Sequence, residues 1–118
     1  MDIIYLCDLR AEANLGVYDW EKRLPQTVEI NLEFGMLGPQ AGKSDRIGDT
    51  IDYAVVAERI REDLLAHRFE LLEALAEHVA NLLLNDFGSP WVKVDIAKIG
   101  MIRNVKRVGV TIERSKVG

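Results

Sequence analysis

The sequence predicts an α+β fold: a four-stranded antiparallel sheet in the order β-β-α-α-β-β, with two helices packed on one of its faces. Three observations carry this expectation. Apolar residues alternate with period 2 near both ends of the chain, recur with a helical period in its middle, and Gly- and Pro-containing stretches separate the two regimes.

The second strand is the clearest. Val28, Ile30, Leu32, Phe34 and Met36 alternate with Glu29, Asn31, Glu33 and Gly35, the pattern of a strand with one wet face. Residues 2–15 are a less regular apolar stretch and read as the first strand, joined to the second by a turn from Gly16 to Pro25. Within it Cys7 reads as a small buried thiol. Leu37 to Thr50 is rich in Gly, Pro, Ser and Asp and predicts a long exposed loop.

Asp52 can cap a helix from Tyr53 to about Ala66, in which Val56, Ile60 and Leu64 recur every four residues while Glu58, Arg59, Arg61, Glu62 and Asp63 stay outside. A second helix from Leu71 to about Asn85 carries Leu72, Leu75, Val79, Leu82 and Leu83 on one stripe and ends near Gly88. Val92, Val94 and Ile96 then mark a third strand, and Val108, Val110 and Ile112 a fourth. Two helices cover only one side of such a sheet. The other side meets water or a second protomer, so a homo-oligomer is expected.

Composition bounds the function. At 118 residues, 48% hydrophobic and 29% charged, the chain reads as one globular domain over 1–118. Fifteen Lys+Arg against nineteen Asp+Glu leave a net charge of -4, which disfavours a nucleic-acid partner. No apolar run approaches the roughly 18 residues of a membrane span, and the opening MDIIYLCDLRAE lacks a signal-peptide pattern, so a cytoplasmic protein without a membrane partner is expected. One cysteine supports no internal disulfide, and with His67 and His78 it forms no cluster of zinc-ligand spacing. Gly-rich phosphate loops are absent as well. Acid–base chemistry without metal or cofactor is the expectation.

Four residues could carry that chemistry. Lys98 continues the parity of Val92, Val94 and Ile96, which aims its amine at the side that buries aliphatics. It either snorkels from a frayed strand end or sits desolvated, where a lysine gives up its proton more readily. Glu73 lies in the first turn of the second helix, where it either compensates the helix dipole or accepts two parallel hydrogen bonds from an amidine-like ligand edge. Tyr53 is a proton donor, a stacking ring or a core aromatic. Glu21 follows the aromatic turn Val17-Tyr18-Asp19-Trp20, which suits a ligand or a neighbouring subunit, and is otherwise a solvated glutamate. Arg103, Lys106, Arg107, Arg114 and Lys116 read as a solvated basic set, and His67 and His78 as helix-flank residues without function.

Four stretches taken together resemble the dihydroneopterin aldolase family: LGVYDWE (Leu15 to Glu21), DTIDYAVV (Asp49 to Val56), FELLEALAE (Phe69 to Glu77), and Lys98 at the end of the third strand. The resemblance implies a tunnelling fold, with protomers joined edge to edge into a tetrameric ring or a stacked octamer and a small-molecule pterin bound between neighbours. It implies that Glu73, with the backbone at Leu72, grips the pterin edge. Tyr53, with Ile51 and Asp52 beside it, approaches from the adjacent chain, and Lys98 and Glu21 surround the reacting side chain. The activity implied is metal-free retro-aldol cleavage of 7,8-dihydroneopterin, with a 2′-epimerase or a non-catalytic pterin-binding ring protein as alternatives. Family members often carry proline after the lysine. Ile99-Gly100 follows Lys98 here, which predicts a differently placed loop.

Overall fold

The computed structural model describes residues 1–116. Strand β1 (Ile3–Leu15) and strand β2 (Gln26–Gly35) form an antiparallel pair joined through a 3-10 turn at Asp19–Lys22. A short helix α1 (Gln40–Ser44) and a 3-10 turn at Ile47–Asp49 follow, then helix α2 (Tyr53–Ala66), strand β3 (Arg68–Phe69), helix α3 (Leu72–Asn81), strand β4 (Trp91–Ile102) and strand β5 (Val105–Ser115). The sheet order is β3-β1-β2-β4-β5. Helix α2 lies over β1, and α3 over β4 and β5.

The α+β layering is therefore as expected, but the sheet has five strands and is mixed. The additional strand β3 pairs in parallel with Asn14 and Leu15 at the end of β1. It is two residues long, too short for any alternation to reveal it. The expected loop from Leu37 to Thr50 is exposed, yet it contains α1 and the second 3-10 turn.

Periodicity explains the core. In β2 the side chains of Val28, Ile30, Leu32 and Phe34 are all essentially inaccessible, and Val92, Val94 and Ile96 of β4 meet them from the adjacent strand. Val56, Ile60 and Leu64 of α2 and Leu75, Ala76, Val79 and Ala80 of α3 close the core from above. After Asn81 the helix widens into a π turn over Leu82–Asp86, where the Phe87 N–H donates to Leu82 O at 3.2 Å. Leu82, Leu83 and Leu84 are all buried along this turn.

Two departures from simple alternation matter. Between Leu6 and Leu9 the register of β1 against β2 slips, with Asp8 at φ 56° and its N–H donating to Asn31 Oδ1 at 2.9 Å. This bulge changes the parity of the strand, so Cys7 is exposed rather than buried as its apolar surroundings suggested. On the helix-free face Glu29 is buried, because Arg10 pairs with it at 2.9 Å and Arg107 at 3.3 Å across the strands. That face is thus drier than a strictly wet side.

Candidate functional site

The turn after β1 builds the charged centre of the molecule. Gly16 has φ 132°, a conformation that L side chains rarely adopt, and a Cβ placed there would lie 2.4 Å from Glu21 Cβ. Its N–H donates to Phe69 O at 3.0 Å, and its carbonyl accepts from Arg68 Nη2 at 2.9 Å. Strand β3 thereby pins the turn. The chain then folds back through the 3-10 turn, in which the Glu21 N–H donates to Tyr18 O at 2.9 Å, and delivers the Glu21 side chain over the bare Gly16 backbone.

Glu21 is buried, at 5% exposure, rather than solvated. Its Oε2 accepts from Lys98 Nζ at 2.7 Å and from Gln26 Nε2 at 3.3 Å, while Oε1 accepts from the Tyr18 N–H at 3.3 Å. Burial alone would push this carboxyl up. The hydrogen bonds from Lys98, the Tyr18 backbone and Gln26, with the Lys98 charge, outweigh it and hold the carboxyl below its ordinary value.

Lys98 keeps the core-side parity read from the sequence. It pairs with Val28 on one side and Val108 on the other, and its side chain is 14% exposed. The strand does not end there: β4 continues to Ile102, and Gly100, at φ 70°, sits in the register irregularity between Ile99 and Ile102. Lys98 is held within a paired strand instead of on a displaced loop.

The helix carrying Glu73 starts close by. Phe69, whose carbonyl holds Gly16, is four residues from Glu73, a span of at most about 14 Å. Glu73 is exposed in the first turn of α3 and forms no ion pair among the described residues. Leu72, the first helical residue, is half-buried against the core. Around the turn, Tyr18 and Trp20 stack with ring centroids 6.1 Å apart and both stay exposed, as does Leu24. An exposed aromatic pair beside a buried ion pair is a surface that suits a flat heterocycle or a second chain.

Tyr53 is placed elsewhere. Ile51 helps line a cavity of about 390 Å³ with Met36, Asp49, Phe87 and Gly88, at the end of the sheet where the Met36 N–H donates to Asp2 O. Lys98 faces Val28, and the run of β2 from Val28 to its end at Gly35 covers about 23 Å at ~3.3 Å per residue, with Met36 next in the chain. Helix α2 confirms the direction, because Leu65 near its far end accepts from Asn14 Nδ2 at 2.9 Å. Asp52 caps α2, its Oδ1 accepting from the Ala54 N–H at 3.0 Å, and Tyr53 is 60% exposed. The chain thus gathers Glu21, Lys98 and the Leu72–Glu73 helix start at one end, and Ile51, Asp52 and Tyr53 at the other.

Sequence reasoning passed over one further group. Asp63, His67 and His78 bring their donor atoms within 4.8 Å of one another where the end of α2 meets α3. The available signal was the spacing of Asp63 and His67, i and i+4 at a helix end. Of the basic set, Arg107 is occupied by Glu29 and Arg114 by Glu77, while Arg103 and Lys106 are exposed around the β4–β5 hairpin.

Comparison with known proteins gives a consistent picture. The family model for dihydroneopterin aldolase matches residues 4–113. The dihydroneopterin aldolase of Escherichia coli K12 is 40% identical over 114 residues, covering 97% of this chain and 93% of that protein. That of Haemophilus influenzae is 31% identical, with 97% of each chain covered. The crystal structure of the E. coli enzyme in complex with neopterin superposes with a TM-score of 0.91 at 39% identity, covering 98% of this chain and 100% of that one. A chain from Vibrio cholerae superposes with a TM-score of 0.93 at 38% identity, covering 98% of both.

Proposed function

The chain belongs to the dihydroneopterin aldolase family, and from that membership and its buried Glu21–Lys98 pair we infer a carbon–carbon lyase that cleaves 7,8-dihydroneopterin in folate biosynthesis. The products are glycolaldehyde and 6-hydroxymethyl-7,8-dihydropterin. The observation that carries the assignment of residues is the 2.7 Å contact between Lys98 Nζ and Glu21 Oε2 at a point where both are largely withdrawn from water.

The substrate ring contains a C=N bond next to its side chain, so it can receive the electron pair released when the C1′–C2′ bond breaks. Lys98, directly or through one water, removes the proton of the 2′-hydroxyl. The C2′–O bond becomes a carbonyl, the C1′–C2′ pair moves into the ring system, and the resulting enamine carbon C1′ takes up a proton with the help of Tyr53. Glu21 holds the Lys98 amine in place and orients the side-chain hydroxyls. Glu73 receives the 2-amino and ring N–H edge of the pterin as paired charge-assisted hydrogen bonds, while backbone N–H groups at the start of α3 around Leu72 donate to the ring's carbonyl oxygen.

This reading needs two protomers. Tyr53, Ile51 and Asp52 lie at the opposite end of the sheet from Lys98, so a complete site forms where one protomer's Lys98 end meets its neighbour's Tyr53 end. The strand edges at β3 and β5 suit edge-to-edge joining into a ring of four or a stacked pair of rings, with the 118 residues acting as one domain. We place the protein in the cytoplasm, where an exposed, unpaired thiol such as Cys7 stays reduced.

Two experiments test it. Incubation with 7,8-dihydroneopterin and chromatographic product analysis should yield both products, and the appearance of neither would refute the activity. Lys98→Ala and Tyr53→Phe protein, each inactive alone, should regain about a quarter of wild-type activity when mixed, unfolded and refolded together, since random assembly completes that fraction of shared sites. Absence of rescue would show that both residues serve the same protomer's site.

A further inference from the structure

A second cluster of chemistry lies outside the residues assigned to the pterin. Asp63 stands in the last turn of α2, His67 caps that helix, and His78 stands in the last turn of α3. We propose that Asp63, His67 and His78 bind a divalent transition-metal ion of the zinc class, which clamps the end of α2 to α3.

The geometry suits coordination. His67 Nδ1 lies 2.9 Å from Asp63 O, and a carbonyl can only accept, so the proton is on Nδ1 and Nε2 presents a lone pair. His78 Nε2 and Asp63 Oδ2 are 3.1 Å apart, a hydrogen bond whose proton a metal ion would displace, and a separation close to the ~3.3 Å edge of a tetrahedron with metal–ligand bonds of about 2.0–2.1 Å. Each of the three residues offers a donor atom within 4.8 Å of the others, and His67 is exposed at the rim of the group.

The surroundings favour a dication. The other carboxylate oxygen of Asp63 accepts from Arg59 Nε at 3.0 Å, which fixes the carboxylate and leaves Oδ2 facing the histidines. Arg59 is shared with Asp86 at 2.6 Å, so two carboxylates stand against one guanidinium beside the histidines. An open cavity of about 320 Å³ lined by these residues and Asn85 gives an ion and its water a way in. Two imidazoles with one carboxylate select zinc-like ions over Mg²⁺ or Ca²⁺, which require oxygen ligands. The clamp would also reach the turn, because Arg68 and Phe69, which hold Gly16, follow His67 directly.

The test is calorimetric titration of the full chain with Zn²⁺, in a Cys7→Ser background because an exposed thiol is itself a zinc ligand. One ion per chain should bind, with Mg²⁺ unable to compete. His67→Ala, at an exposed position with little risk to folding, should weaken binding at least about 100-fold, since losing even an outer-shell partner costs about 10–100-fold. Arg59→Lys should fall within that smaller range. Absence of saturable Zn²⁺ binding, affinity unchanged by His67→Ala, or equal competition by Mg²⁺ would each overturn the proposal.

Discussion

Replacing Glu21 and Lys98 singly and together separates what their contact does for folding from what it does for chemistry. At 2.7 Å the gross attraction of two unit charges is about 6 kcal/mol for an effective dielectric constant of about 20. Desolvation offsets most of this, because the Glu21 side chain is 4% and that of Lys98 14% exposed. Breaking such a pair from one side leaves a charge buried without its partner. Lys98 retains some access to water, so Glu21→Gln and Lys98→Met should each lose about 2–3 kcal/mol, at the low end for buried pairs. The double variant removes both charges and should fall within about 1 kcal/mol of wild type, a coupling of at least about 3 kcal/mol. Urea unfolding at one fixed protomer concentration measures this, since assembly adds to apparent stability. In turnover, Lys98→Met should lose about 10²–10⁴-fold, and adding Glu21→Gln should lower it little further, because Glu21 acts through the amine. Additive stability losses, within about 0.5 kcal/mol, would refute a coupled pair, and near-normal turnover of Lys98→Met would refute the role of the amine.

Gly16→Ala should be more damaging than its size suggests: a positive-φ strain of about 1–3 kcal/mol joins a 2.4 Å overlap with Glu21 Cβ, and the displaced carboxylate should lower kcat about 100-fold. Thermal unfolding and steady-state kinetics on one preparation would reveal both. Asp52→Ala removes the hydrogen bond to the Ala54 N–H and should cost about 1 kcal/mol, or ~4 °C in melting temperature, and Asp52→Asn should recover most of it. For Glu21 the folded carboxyl lies below its ordinary value of 4.5, so its stabilising contribution is complete above that pH and disappears as pH falls through the lower folded value. Stability of the wild type measured from pH 6 downward should fall more steeply than that of Glu21→Gln, and parallel curves would count against the assignment.

What could be read in advance was whatever periodicity controls. The Asp52 cap with Val56, Ile60 and Leu64 marks α2 at Tyr53–Ala66, and the parity of Val92, Val94 and Ile96 puts Lys98 on the core side. Features that break periodicity were not legible. A two-residue strand at Arg68–Phe69 has no period, the bulge at Asp8 turns Cys7 outward, and the burial of Glu29 depends on arginines nineteen residues before it and further along the chain. The Asp63–His67–His78 group joins two helices through tertiary packing, so only its helical half had a local signal.

The hydrogen bonds around Glu21 also constrain who can move a proton. Oε1 is engaged by the Tyr18 N–H, and Oε2 by both Lys98 and Gln26. A carboxylate so occupied, and held below its ordinary pKa, is a poor base near neutrality. It serves instead as a fixed anion against which the Lys98 amine is oriented. Gln26 reinforces this, because its amide nitrogen also bonds Leu15 O and so ties the carboxylate to the strand end. Asp52 is similarly committed to the α2 cap through Oδ1. Of the acidic groups assigned to the site, Glu73 alone stands exposed and outside any ion pair among the described residues, which is the state required of a carboxylate that must receive a ligand. Under the proposed function these contacts divide the labour: Glu21 positions the amine, and Glu73 is open to receive the ligand.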